Sequence, residues 1–251
     1  MRQLHLIKLF FLAKENLKQN INMKYFLDTE FHESKKPVKI LGITLKEVRT
    51  IDLISIGIVC EDGREYYAIN KDCDIKAIWN DKWLRENVLK SIHADLVAKE
   101  GMYCKTYHWN LIEFSLKGMK NLIKWHGRSL PIIANDIATF IYGDDCGGSG
   151  MSAIEMAMKY EISDKTKEPE FYAYYADYDW VVFCWIFGRM IELPKGFPMY
   201  CRDLKQTMDE LGLDKEWKRI NCPDPKGEHN ALVDAKWNFE LYKLLCAVAK
   251  K

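Results

Sequence analysis

The ten residues Ile51-Asp-Leu-Ile-Ser-Ile-Gly-Ile-Val-Cys60 constrain the fold most, because so dense a β-branched run reads as a strand. Glu61-Asp62-Gly63-Arg64 follows at once, and Asp-Gly is a strong hairpin signal. It joins the run to a second strand within EYYAIN, residues 65–70. Upstream, KYFLDTEF (24–31) is a short aromatic and aliphatic run ending in acids, and it reads as the first strand. The chain therefore opens as an antiparallel β-meander. Residues 33–50, between the first two strands, are basic and read as an irregular inserted excursion.

A helical section comes next. DKWLRENVLKSI sets Trp83, Val88 and Ile92 near one face, and SLKGMKNLIKWHG turns Leu116, Met119, Leu122 and Ile123 inward. LPIIANDIATFIYG reads as another helix. GDDCGGSG is a loop, since it lacks the lysine and the strand-to-helix setting of a P-loop. MSAIEMAMKYEI reads as a helix and SDKTKEPE as a polar linker. EFYAYYA is a fourth strand, followed directly by a helix starting near Asp177. Residues 203–211 form a short helix stopped by Gly212, and CPDPKGE is a loop. A long terminal helix follows Asn230 as its N-cap. Three strands, helices, a strand and more helices suit an α/β fold, a mixed sheet with helices packed on it.

Composition closes off several classes. The 251 residues are 48% hydrophobic and 29% charged, as in ordinary globular proteins. One domain is expected over 23–251, with 1–22 as an N-terminal extension and Met23 as the functional start. In that extension LIKLFFLA is short and broken by Lys8, so it is a poor secretory core and far from the roughly 20 residues of a membrane span. It reads as a surface helix or a docking segment. A net charge of +1 gives no sign of a protein that coats long nucleic acid. Any such contact must come from a local patch, or from a pocket that takes a strand end. The eight cysteines show no CxxC spacing, which argues against a zinc ribbon. Together with the lack of a signal peptide, they point to the reducing cytoplasm.

Chemistry concentrates in acids. Asp28 and Glu30 are two apart on a strand, so their side chains share a face. Paired carboxylates repel unless a cation neutralises them, and a hard dication such as Mg²⁺ or Mn²⁺ prefers oxygen ligands. Solvated acids at a strand end are the bland alternative. Asp179 falls in the first turn of the helix after the fourth strand, where free N–H groups favour a carboxylate. Asp177 competes with it and reads as the N-cap. His229 and Asp234 are five apart and would not share a face inside one helix. With the helix starting at Asn230, His229 stays on the loop and can swing over the same site.

KYFLDTEF, ADYDW and HNALVDA resemble, in order, the three motifs of the DEDDh superfamily of DnaQ-like, RNase H-like 3′-5′ exonucleases. The run from DTEF through LISIGIVCEDGREYYAIN resembles its small bacterial and phage group typified by a mycobacterial 3′-5′ exoribonuclease. The likeness covers most of 23–251. Residues 33–50 and about 141–168 look like additions, and Tyr175 stands where the superfamily often has asparagine. The resemblance implies an RNase H-like mixed sheet, an antiparallel meander plus a parallel strand, flanked by helices. It also implies two-metal phosphodiester hydrolysis that releases 5′-nucleoside monophosphates. Asp28 would bridge two Mg²⁺ or Mn²⁺ ions, Glu30 and Asp234 would complete the first site, Asp179 would support the second, and His229 would be the general base. The partner would be the 3′ end of single-stranded nucleic acid, with RNA favoured and no membrane; a homodimer follows from the superfamily alone. Phe31 and His32 would meet the terminal base or sugar, although Phe31 packing in the core is equally open. Lys35, Lys36 and Lys39, and the WKR at 217–219, read either as backbone contacts or as solvated surface. A DNA exonuclease and a catalytically inactive nucleotide-binding module are the rival readings.

Overall fold

The computed structural model describes residues 22–41, 43–103, 113–142 and 168–250. The helix, linker and glycine-rich loop expected between 143 and 167, and the N-terminal extension, lie outside these residues.

Five strands form one sheet in the order β3-β2-β1-β4-β5. They are β1 (Lys24–Ile40), β2 (Ile43–Cys60), β3 (Glu65–Ile69), β4 (Glu170–Ala173) and β5 (Arg202–Asp203). The first three are antiparallel, and β4 and β5 add in parallel to β1. This is the mixed α/β sheet of an RNase H-like fold. The Asp62-Gly63 turn closes the β2–β3 hairpin, with Gly63 at a φ of 93° and Asp62 accepting the Arg64 N–H.

Helices cover both faces. Ile75–Asn80 (α1) and Lys82–Leu84 (α2) lead through a π-helical turn, Arg85–Leu89, into Lys90–Tyr103 (α3). Leu116–His126 (α4), Leu130–Tyr142 (α5), Ala176–Phe187 (α6), Leu204–Glu210 (α7), Lys215–Asn221 (α8) and Ala231–Ala249 (α9) complete the set. One face of the sheet buries Tyr25, Leu27, Ile56, Ile58 and Phe171 against α5 and α6. The opposite face buries Phe26 and Tyr172 against Leu204, Met208, Leu241 and Leu245 of α7 and α9. A third cluster joins Ile54 and Ile69 to Val88, Ile92, Met119 and Ile123. Residues of even number on β1 thus face α9, and those of odd number face α6, as the strand period requires.

Three expectations need correction. Residues 33–50 are not irregular: β1 and β2 stay paired out to Ile40 and Ile43, so this stretch is a two-stranded ribbon. Its lysines break up the apolar alternation that would have marked a strand. Trp83 does not face inward with Val88 and Ile92; it is 54% exposed. Five helical positions turn about 140°, so Trp83 and Val88 never shared a face. Finally, Asp177 is not the N-cap of α6. Tyr175 is, and Asp177 lies exposed in the first turn.

Candidate active site

Asp28 and Glu30 leave β1 on the face that α9 covers, opposite Gly57 and Ser55 of β2. Gly57 lets the helix start approach the sheet: a Cβ there would lie 2.2 Å from the Ala231 carbonyl oxygen. The Asn230 side chain caps α9 by accepting from the N–H groups of Leu232 and Val233. One turn beyond Asp234, buried Asn238 donates to the Leu27 carbonyl oxygen at 2.9 Å. Positions i and i+4 share a helix face, so the Asn238 bond also fixes Asp234 over β1. One oxygen each of Asp28, Glu30 and Asp234 lies within 4.8 Å of the others.

Asp179 arrives from the other layer. Strand β4 stops at Ala173, and its last pairing with β1 is at Phe26. Further along, the Thr29 N–H donates instead to Asp179 Oδ1 at 2.9 Å, and the Thr29 hydroxyl donates to the same oxygen at 2.6 Å. Two features aim α6 at this point. Tyr175 turns the chain in the left-handed region, at a φ of 57°. Asparagine enters that region far more readily than tyrosine does. The other feature is Asp203 on the two-residue strand β5. Its carboxylate accepts the Ala176 N–H at 3.0 Å and also caps α7 through Lys205 and Gln206.

His229 sits on the loop before Asn230, at a φ of 67°. Its backbone N–H donates to Asp234 Oδ2 at 2.9 Å, and its ring meets Trp83 edge to face with centroids 4.8 Å apart. Asp28, Glu30, Asp179, Asp234 and His229 all line one cleft of about 430 Å³. Phe31 lines it too, stacked on Tyr178 at 5.7 Å. His32 does not; it pairs with Asp52 further along β1. Lys218 lines the cleft as well, its ammonium 5.2 Å from the Tyr174 ring centroid and 4.8 Å from that of Trp237.

The acids are crowded and poorly solvated. Burial, reinforced by Asp179, Glu30 and Asp234, holds Asp28 well above the usual carboxylate range. Burial and then Asp234 and Asp179 push Glu30 up to about 8. Burial raises Asp179 to about 7 despite the two Thr29 bonds, and raises Asp234 to about 6 despite the His229 N–H. Dications bound by oxygen would relieve this repulsion, and ligand oxygens spread over 4.8 Å are near the spacing such an ion requires. The residues therefore fit a divalent-cation site.

Sequence reading missed Thr29, Asp203, Gly57, Asn238 and Trp83. Asp203 shows locally only as an N-cap of α7, and none of the five carries a local signal for its part in the site, because there each acts on a partner distant in the chain.

Residues 23–245 match the family described as the 3′-5′ exoribonuclease Rv2179c-like domain. The chain belongs to that family. It is 27% identical over 223 residues to the 3′-5′ exoribonuclease Rv2179c of Mycobacterium tuberculosis strain H37Rv, covering 89% of this chain and 93% of the relative. The 3′-5′ exoribonuclease MT2234.1 of M. tuberculosis strain CDC 1551 matches to the same extent. The family match spans every site residue named above, from Asp28 to Asn238.

Proposed function

We propose that this chain is a metal-dependent 3′-5′ exoribonuclease that releases 5′-nucleoside monophosphates from single-stranded RNA. The observation that carries the reading is the meeting of Asp28, Glu30 and Asp234 within 4.8 Å, beside Asp179 and His229 in one cleft. The family and the two mycobacterial relatives support the exoribonuclease class.

Asp28, Glu30 and Asp234 would hold one Mg²⁺ or Mn²⁺, and Asp28 with Asp179 a second. Cations held there would neutralise the acids and supply Lewis-acid stabilisation to the scissile phosphate and the attacking water. His229, on the loop beside the acids, would take the proton from that water as general base. Phe31 and Tyr178 offer a stacking surface for the terminal base, a contact worth ~1–3 kcal/mol. A cleft of about 430 Å³ suits one nucleotide rather than a duplex. The setting is cytoplasmic, supported by six described cysteines that are all free thiols. No described helix is long and apolar enough to cross a membrane.

Matched 5′-labelled RNA and DNA oligonucleotides with Mg²⁺ or Mn²⁺ test the reading. A ladder shortening from the 3′ end of RNA, with mononucleotide products, is expected. Cleavage of DNA alone would favour the DNA exonuclease. Nucleotide binding without hydrolysis would favour the inactive module.

A further inference from the structure

We propose that the ribbon at 33–50 is a docking arm for the phosphate backbone of single-stranded RNA, upstream of the 3′ end held at the acids. The inference rests on the exoribonuclease reading and extends its substrate contacts. The ribbon grows directly out of the strand that carries Asp28 and Glu30. Among the described residues it has no neighbours in the sheet beyond this root, since β4 pairs with β1 at Lys24–Phe26 and β3 pairs with β2 at Ser55–Val59. Lys35, Lys36, Lys39, Lys46 and Arg49 stand against Glu33 and Glu47, a net +3 in this stretch of a chain whose total is only +1. The rest of the molecule is therefore slightly acidic, and the cleft itself is lined by carboxylates.

The cations are arranged for an anion. Lys35 and Arg49 face each other directly across the ladder, and like charges so placed destabilise a strand pair. Glu47 lies 3.9 Å from Lys35, and Lys36 is taken by Asp52. Among the described residues, Lys46 and Arg49 have no ion-pair partner. Lys46 and Arg49, three apart on β2, stand on opposite faces of the ribbon, so a polyphosphate strand crossing the ribbon's edge occupies both and relieves the repulsion between Lys35 and Arg49. A second copy of the ribbon would instead bring +3 against +3, so charge favours the nucleic acid. Lys35 is five residues past Glu30, and Val38, which pairs with Lys46, is eight past it. At ~3.3 Å per residue, these cations lie roughly 17–26 Å from the acids. At ~3.4 Å per stacked nucleotide, that distance is about five to eight nucleotides.

The test compares wild type with the exposed double variant Lys46→Ala/Arg49→Ala on a diadenylate and on a 20-nucleotide single-stranded RNA. For the 20-mer, KM is expected to rise about tenfold at 0.1 M salt with kcat unchanged. The slope of log KM against log salt is expected to fall by about 1.4, ~0.7 per lost phosphate contact. Diadenylate cleavage is expected to stay as in wild type. Equal KM and equal salt slope on the 20-mer overturn the arm while leaving the exoribonuclease reading intact. A change in sedimentation with both substrates equally affected also overturns it, in favour of a contact between copies. If wild type cleaves no RNA, anisotropy with the labelled 20-mer separates the two ideas. Binding weakened by the double variant supports the arm without the enzyme, and binding unaffected by it sinks both.

Discussion

At its root, from Tyr25 to Glu30, strand β1 is covered on one face by α6 and on the other by α9; from Glu33 to Ile40 the same strand has, among the described residues, only β2 beside it. Pairing with β2 runs through both halves, interrupted by bulges between Glu30 and Phe31 and between Val38 and Lys39, so the main difference lies in what the side chains meet. In the root, packing fixes each position: Leu27 is fully buried, Thr29 holds Asp179, and Asp28 and Glu30 are forced against other acids. In the ribbon, Ile40, Leu41, Ile43 and Leu45 are exposed, and charge rather than burial distinguishes the surface. Layered packing can hold an electrostatically unfavourable cluster that a bare ribbon could not. On the proposed reading, that capacity suits the root to chemistry and leaves the ribbon to binding.

Substitutions sharpen the contrast, and the largest effects belong to the root. Asp28→Ala is expected to lower turnover of RNA by more than about 10³-fold, because on the proposed reading it removes a carboxylate that would hold the cations. His229→Ala should lose on the order of 10²–10⁴ in kcat, the usual contribution of a general base. Steady-state kinetics check both, and undiminished turnover by Asp28→Ala would break the comparison at its root. Gly57→Ala comes next. Its Cβ has no room below the Ala231 carbonyl, so α9 must shift, at a loss of about 3 kcal/mol. That is a fall of roughly 6–12 °C in Tm for a chain of this size, measurable by calorimetry.

A smaller effect comes from protons. The folded-state pKa values of Glu30, Asp179 and Asp234, at about 8, 7 and 6, lie above their ordinary values. The metal-free fold therefore binds more protons than the unfolded chain. The stability this confers is fully present below about pH 4 and is lost progressively as pH rises from there through 8. Thermal melts in a chelator should lose roughly 1–3 kcal/mol over that window, and Glu30→Gln should flatten the loss. Added Mn²⁺ should restore more stability at pH 8 than at pH 5.5. In the ribbon, Ile43→Thr is expected to change stability by no more than about 0.5 kcal/mol, since exposed Ile43 packs on no core.

Much of this layout can be read from the residues. The β2–β3 hairpin announces itself through a β-branched run and an Asp-Gly turn, and α9 through the Asn230 cap. The Asp28 and Glu30 pair follows from the two-residue period of a strand. Other features have no local signature. The ribbon hides because lysines dilute its alternation, and β5 is too short to show a period. The bond between Thr29 and Asp179 spans 150 residues, so only the ending of β4 beside β1 explains it. Similarly, Asp203 looks like an ordinary N-cap of α7, and its second role on Ala176 exists only once β5 joins the sheet.

The most direct test of the converging acids is Mn²⁺ binding by titration calorimetry, without RNA, to wild type and to Asp28→Asn at pH 8. Saturable binding by wild type, weakened at least tenfold in the variant while the fold is retained, is the predicted result. Identical isotherms for the two proteins would mean that Asp28 and its neighbours hold no metal.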